Sequence, residues 1–180
     1  MSLIRIVIFV LFWILLLSFN KASAQDTIYW NPNYKLKWGD FQGKIDSNSK
    51  DGAVSRPGVK YHLSVKEDSF TVNVACFFIK SKSWSKFKES DTLLMHEQGH
   101  FDIAELFARK LRKAFTEYKF NTQTVGNDIN KLFILNKEER TAMDALYDKE
   151  TNHSQNRQQQ LLWNIKIKAE LNTLKKFASA

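Results

Sequence analysis

The change of hydrophobic period near residue 85 constrains this chain more than any other feature. Before it, Val59-Lys60-Tyr61-His62-Leu63-Ser64-Val65 and Phe70 to Ile79 alternate apolar with polar or small side chains, the period of half-buried strands. After it, apolar residues recur every three or four positions, the period of helices. The polar Lys66-Glu67-Asp68-Ser69 between the two alternating runs predicts a hairpin. Tyr34 to Trp38 reads as a further short strand, and Gly43 to Gly58, rich in Ser, Asp, Lys and Gly, as an exposed loop.

Strands followed by helices, without βαβ alternation, predict an α+β domain whose helices cover one face of a small antiparallel sheet. The β-rich part spans 27–82 and the helical part 85–178. The first helix starts at Ser90 or Asp91, both good N-caps, and carries Leu93, Leu94, Phe101, Ala104, Phe107, Ala108, Leu111 and Phe115 on its apolar face. A second, over Ile129 to Glu150, uses Leu132, Leu135, Met143, Leu146 and Tyr147. A third, from about Asn156, uses Leu161, Leu162, Ile165, Leu171 and Leu174.

The first 24 residues are of a different kind. Arg5 leads into an apolar run from Ile6 to Leu17, and Ala22-Ser23-Ala24 has the small-x-small form of a cleavage site. The run is shorter than the ~20 residues of a spanning helix. We therefore expect a signal peptide over 1–24, one domain over 25–180 beginning near Gln25, no stable membrane span after cleavage, and a periplasmic or secreted protein. With 43% hydrophobic and 26% charged residues and one cysteine, the 180-residue chain is neither disordered nor a disulfide scaffold. Its net charge of +8 is spread along the chain, which does not favour a nucleic-acid partner. Cys76 shares a strand face with Phe70, Val72, Val74 and Phe78 and reads as a small buried hydrophobe.

The chemistry is concentrated in His96-Glu97-Gln98-Gly99-His100, an HExxH pattern on the first helix. Residues four apart stand one above the other, so both imidazoles can face one Zn2+ ion about 2.1 Å away. Glu97 beside them is the candidate general base for an activated water. A catalytic zinc wants a third protein ligand. Ile103 and Leu106 stand where the metzincin continuation needs Gly and His, Glu105 projects from another face, and Glu117 lies four to five turns along the helix. The remaining candidates lie in Tyr147-Asp148-Lys149-Glu150-Thr151-Asn152-His153-Ser154, with His153 the first choice and Glu150 the second. His62, alone in a strand, reads as structural.

The stretch His96 to Glu105 (HEQGHFDIAE), together with Trp38-Gly39-Asp40-Phe41-Gln42-Gly43, Lys82-Ser83-Trp84 and the late Tyr147 to His153 with Trp163, resembles a family of small exported bacterial proteins. That family is known as a domain of unknown function and described as predicted zinc-dependent proteases. The resemblance implies a zincin-like core of helix and sheet, and Asp102 as a carboxylate that orients a zinc histidine. The function expected from the residues is hydrolysis of a protein or peptide substrate. Its parts are His96, His100 and His153 on zinc, Glu97 as base, Tyr147 as donor to the oxyanion, and the substrate laid along Phe70 to Ile79 as an edge strand. The alternative is a non-catalytic metal-binding envelope protein that recruits a partner through Trp30, Trp38, Trp84 and Trp163.

Overall fold

A computed structural model of the chain describes residues 26–179, so the expected signal peptide lies outside the described residues. The two alternating runs form strands β3 (Pro57–Val65) and β4 (Phe70–Ile79), paired antiparallel from Pro57 opposite Phe78 to Val65 opposite Phe70. The turn closes with Lys66 N–H donating to the Ser69 carbonyl at 2.8 Å. Strand β1 (Thr27–Tyr29) pairs with the other side of β4, giving the order β1-β4-β3. The expected edge strand is thus the centre of the sheet, paired along its length with β3 and over Phe77–Ile79 with β1.

Two expectations about the upstream segments need correction. Tyr34 to Trp38 is no strand, because its N–H groups bond locally or to side chains and not to a neighbouring strand. Leu36 N–H donates to Gln98 Oε1 at 2.9 Å and Lys37 N–H to Asp40 Oδ2 at 2.9 Å, and a 3-10 turn follows at Trp38–Asp40. The 43–58 segment is more ordered than an exposed loop. It carries strand β2 (Ala53–Val54), which pairs antiparallel with β5 (Trp84–Ser85), and it runs into β3. Gly43 is needed at its start, since a Cβ there would meet the Ser81 and Ser83 carbonyl oxygens at 2.9 Å.

Helix α1 (Asp91–Glu117) is capped by Ser90, whose Oγ accepts from Leu93 N–H at 3.2 Å. Helices α2 (Val125–Thr151) and α3 (Arg157–Thr173) complete an α+β domain. One face of α1, with Phe101, Ala104, Ala108, Leu111 and Phe115, packs on Val74, Cys76 and Phe78 of β4, the inward set of its alternation. Another face, with Ile103, Leu106 and Phe107, packs on Tyr147, Trp163, Ile167 and Leu171. Trp84 and Trp163 are buried, and Trp30 and Trp38 are partly buried against the core. No helix among the described residues is long and apolar enough to cross a membrane.

The outer helices present other faces than periodicity suggests. Leu135, Leu146, Leu161, Leu162 and Ile165 are exposed, while the polar Asn136 and Gln160 point inward. Both have buried partners: Asn136 Nδ2 donates to the Phe107 carbonyl at 3.1 Å, and Gln160 serves the site described below.

A charged cluster ties the layers together. Glu105, fully buried, accepts from Arg109 Nε at 2.9 Å and Arg112 Nη1 at 3.1 Å. Arg109 donates onward to the Leu171 carbonyl at 2.7 Å, and Arg112 to the carbonyls of Phe177 at 2.8 Å and Val74 at 3.1 Å. Three elements therefore hang on one carboxylate. Glu105→Ala, which strands two guanidinium groups, should destabilise the fold by about 3–5 kcal/mol in urea unfolding. A loss below about 1 kcal/mol, the scale of an exposed ion pair, would show the cluster to be peripheral.

Candidate metal centre

Helix α2 runs antiparallel to α1, with Asp144 opposite His100 and Asp148 opposite both His100 and His96. The close approach depends on Gly99. A Cβ there would lie 2.2 Å from Tyr147 Oη, in the space the hydroxyl occupies. Tyr147 lies beneath both imidazoles, stacked on His96 (centroids 4.6 Å, 13°) and edge-on to His100 (5.0 Å, 80°). Its hydroxyl donates to the His96 carbonyl at 3.1 Å and accepts from Gln160 Nε2 at 2.5 Å.

The two imidazoles converge on one oxygen. His96 Nε2 stands 3.1 Å and His100 Nε2 2.9 Å from Asp148 Oδ1. These three atoms all lie within 4.8 Å of one another. Ligands about 2.1 Å from a tetrahedral ion stand about 3.4 Å apart, close to this spacing. The outer nitrogens are held as metal-binding imidazoles require. His100 Nδ1 donates to Asp144 Oδ1 at 2.9 Å. Because Gln160 gives its amide N–H to Tyr147, its Oε1 accepts from His96 Nδ1 at 3.0 Å, and Nε2 is the nitrogen left to face the site.

Electrostatics agree with a cation site. Burial alone would lower the His100 pKa, but hydrogen bonds to Asp144 and Asp148 and the charges of Glu97 and Asp144 outweigh it and raise the value to about 10. Burial would raise the Asp148 pKa, but bonds to His100 and His96 and their charges hold it well below the usual carboxylate range. Positive charge on His100 is thus stabilised by the carboxylates around it. Glu97, 4% exposed, lies beside the cluster with Oε2 accepting from Ser55 N–H at 3.1 Å. Both face an open cleft of about 780 Å³ walled by Ala53 to Pro57 on one side and His153 to Gln155 on another.

The residues expected from sequence fare differently. His96, Glu97 and His100 come together, but Asp148 occupies the third position in place of His153. Helix α2 ends at Thr151, and Asn152, His153 and Ser154 all have positive φ (46°, 48° and 77°), which swings the exposed His153 ring to the rim, Nδ1 3.8 Å from Asp148 Oδ1. Glu150 turns away and accepts from Trp163 Nε1 at 2.7 Å. Tyr147 is fully buried with its hydroxyl committed, so it supports the site from below and does not reach a substrate oxyanion. Its phenol is pushed well above the usual range, chiefly by burial, with the charges of Glu97 and Asp148 adding to the rise. Asp102 accepts from Trp30 Nε1 at 2.7 Å and Gln98 Nε2 at 2.8 Å, fastening the segment after β1 to α1 and orienting no histidine. His62 lies exposed on β3 beside Ser64.

Asp144 and Gln160 were missed, and Asp148 lay in the candidate stretch without being chosen, although Asp144 and Asp148 repeat on α2 the four-residue spacing of His96 and His100 on α1. Zinc titration monitored by calorimetry should distinguish the two candidate third donors. Asp148→Ala should abolish stoichiometric binding, and Asp144→Ala should weaken it on the order of 10- to 100-fold. His153→Ala should leave the affinity unchanged; the reverse ranking of Asp148 and His153 would restore the imidazole as ligand.

No curated protein and no solved structure matches the chain. Residues 22–154 match the family described as bacterial protein of unknown function, DUF922. That segment contains His96, Glu97, His100, Asp144 and Asp148, and by this match the chain belongs to the DUF922 family.

Proposed function

We propose that the protein is a zinc-dependent peptidase. The observation that carries the reading is the convergence of two imidazole nitrogens and one carboxylate oxygen next to Glu97 at an open cleft. Three protein donors and a free side toward solvent is the arrangement of a catalytic rather than a closed structural zinc site. The donor set of two nitrogens and one oxygen suits zinc. A zinc ion bound by His96, His100 and Asp148 would supply Lewis acidity, polarising a substrate carbonyl and making water a better nucleophile at neutral pH.

The chain's own groups account for the remaining steps. Glu97, its carboxylate oriented by the Ser55 N–H, accepts the proton of the attacking water and returns it to the leaving amine. Gln160 and Asp144 hold the two imidazoles in the required tautomer throughout. Tyr147 keeps α2 at its distance from α1, so that the donors stay aimed. Export is part of the same reading, from the Ala22-Ser23-Ala24 site. N-terminal sequencing should find mature protein outside the cytoplasm starting near Gln25; protein retaining Met1 in the membrane fraction would replace the signal peptide with an anchor.

Glu97→Gln keeps the volume of the side chain and removes its basicity. On protein loaded to equal zinc content, peptide hydrolysis should fall by a factor on the order of 100 or more, with zinc content and melting temperature near wild type. Undiminished hydrolysis by Glu97→Gln would move the activity to another group and leave this site a metal-binding scaffold.

A further inference from the structure

Beyond the metal donors, the cleft is lined by cations. Lys50, Arg56, Lys86 and Arg140 face it, against four carboxylates. Three of those are occupied: Asp144 and Asp148 by the histidines, Glu97 by the Ser55 N–H. The fourth, Asp51, accepts from Ser49 Oγ at 2.9 Å. Occupancy of the centre by a divalent cation would add positive charge to this balance.

Arg140 differs from the other three cations. Lys50 and Arg56 stand exposed at the rim, and Lys86 donates to the Ser49 carbonyl and lies over the Trp84 ring. Arg140 is sheltered, with 21% of its side chain exposed, one helical turn before Asp144 on α2. Its Nε stands 3.5 Å from Asp144 Oδ2, an ion-pair distance, yet this buried nitrogen has no hydrogen-bond partner among the described residues. Asp144 spends its other oxygen on His100. The guanidinium is thereby held beside the metal donors with donors unspent. A planar fork of N–H groups in partial shelter matches a carboxylate bidentately, and a neutral amide cannot replace that pairing.

From this juxtaposition we infer that Arg140 is a specificity-determining residue that binds a carboxylate of the peptide in the cleft. The rim cations Lys50 and Arg56 draw acidic peptides toward it. The inference rests on the peptidase reading for its ligand class but not for its test. The carboxylate has two sources, an acidic side chain or a free chain terminus, and both present the same group to the guanidinium.

The test measures binding by calorimetry to zinc-loaded Glu97→Gln protein, which separates affinity from turnover. The probes are short peptides of one length carrying a single Glu or Gln at successive positions, each with a free or an amidated C-terminus. At least one carboxylate peptide should bind about tenfold tighter than its neutral counterpart, the size of one charge-assisted pair. A preference following Glu identifies a side-chain carboxylate, and one following the free terminus a chain end. Adding Arg140→Gln at equal zinc content should erase the preference, and Arg140→Lys should retain only part of it. Equal binding of acidic and neutral peptides, or a preference that survives Arg140→Gln, overturns the inference. If Arg140→Gln does not fold or load zinc, a full preference in Arg140→Lys overturns the bidentate pairing. A carboxylate preference without hydrolysis by protein retaining Glu97 would sink the peptidase reading and leave Arg140's role intact; hydrolysis without preference would do the reverse. Neither binding nor hydrolysis would sink both.

Discussion

The site depends on how closely α2 can approach α1, and that distance is governed by the missing side chain of residue 99. Tyr147 places its hydroxyl where a Cβ would otherwise be and uses it to reach the His96 carbonyl. Once the phenol ring lies beneath the imidazoles, its neighbour Asp148 and the preceding-turn residue Asp144 come within hydrogen-bond reach of His96 and His100. The glycine of HEQGH is therefore a packing residue for the second helix. A side chain there would separate the two pairs of donors before it affected α1 itself.

Polarity is distributed along α1 in two buried groups with opposite demands. Near its start, two histidines and two aspartates make a cluster that wants positive charge. Further along, Glu105 answers two arginines and spreads their remaining donors over the carbonyls of β4 and the C-terminal segment. The second group is closed: one carboxylate and three backbone carbonyls of the protein take up donors of both guanidinium groups. The first opens onto the cleft and sets two imidazoles against two carboxylates, so in the proposed reading a cation would replace protons there without rebuilding the fold. The two groups thus share one helix without sharing partners.

Much of this was legible from local pattern. The hairpin follows from two alternating runs around a polar turn, and His96, Glu97 and His100 from spacing on one helix, because both are settled within a few residues. What was not legible depends on contacts between distant segments. Asp148 and His153 lie in the same short stretch, and only the end of α2 at Thr151, followed by three left-handed residues, decides that the carboxylate points inward and the imidazole to the rim. The apolar Leu135, Leu146, Leu161, Leu162 and Ile165 mislead for a related reason. Their helices turn inward the side that satisfies buried polar groups, with Gln160 at the histidines and Asn136 at a carbonyl of α1. Asp102 misled through proximity, since two positions along a helix from His100 face a different neighbour.

In the proposed function a metal sits between His96, His100 and Asp148 with one side left open. X-ray absorption on the zinc-loaded mature protein addresses this directly, because imidazole scattering counts the histidines and the first shell counts all light donors. The account predicts two imidazoles among four nitrogen or oxygen donors at about 2.0–2.1 Å, the remaining two being a carboxylate and solvent. Three imidazoles in the first shell would contradict it by returning His153 to the metal, and a shell without imidazole would remove the metal from this site altogether.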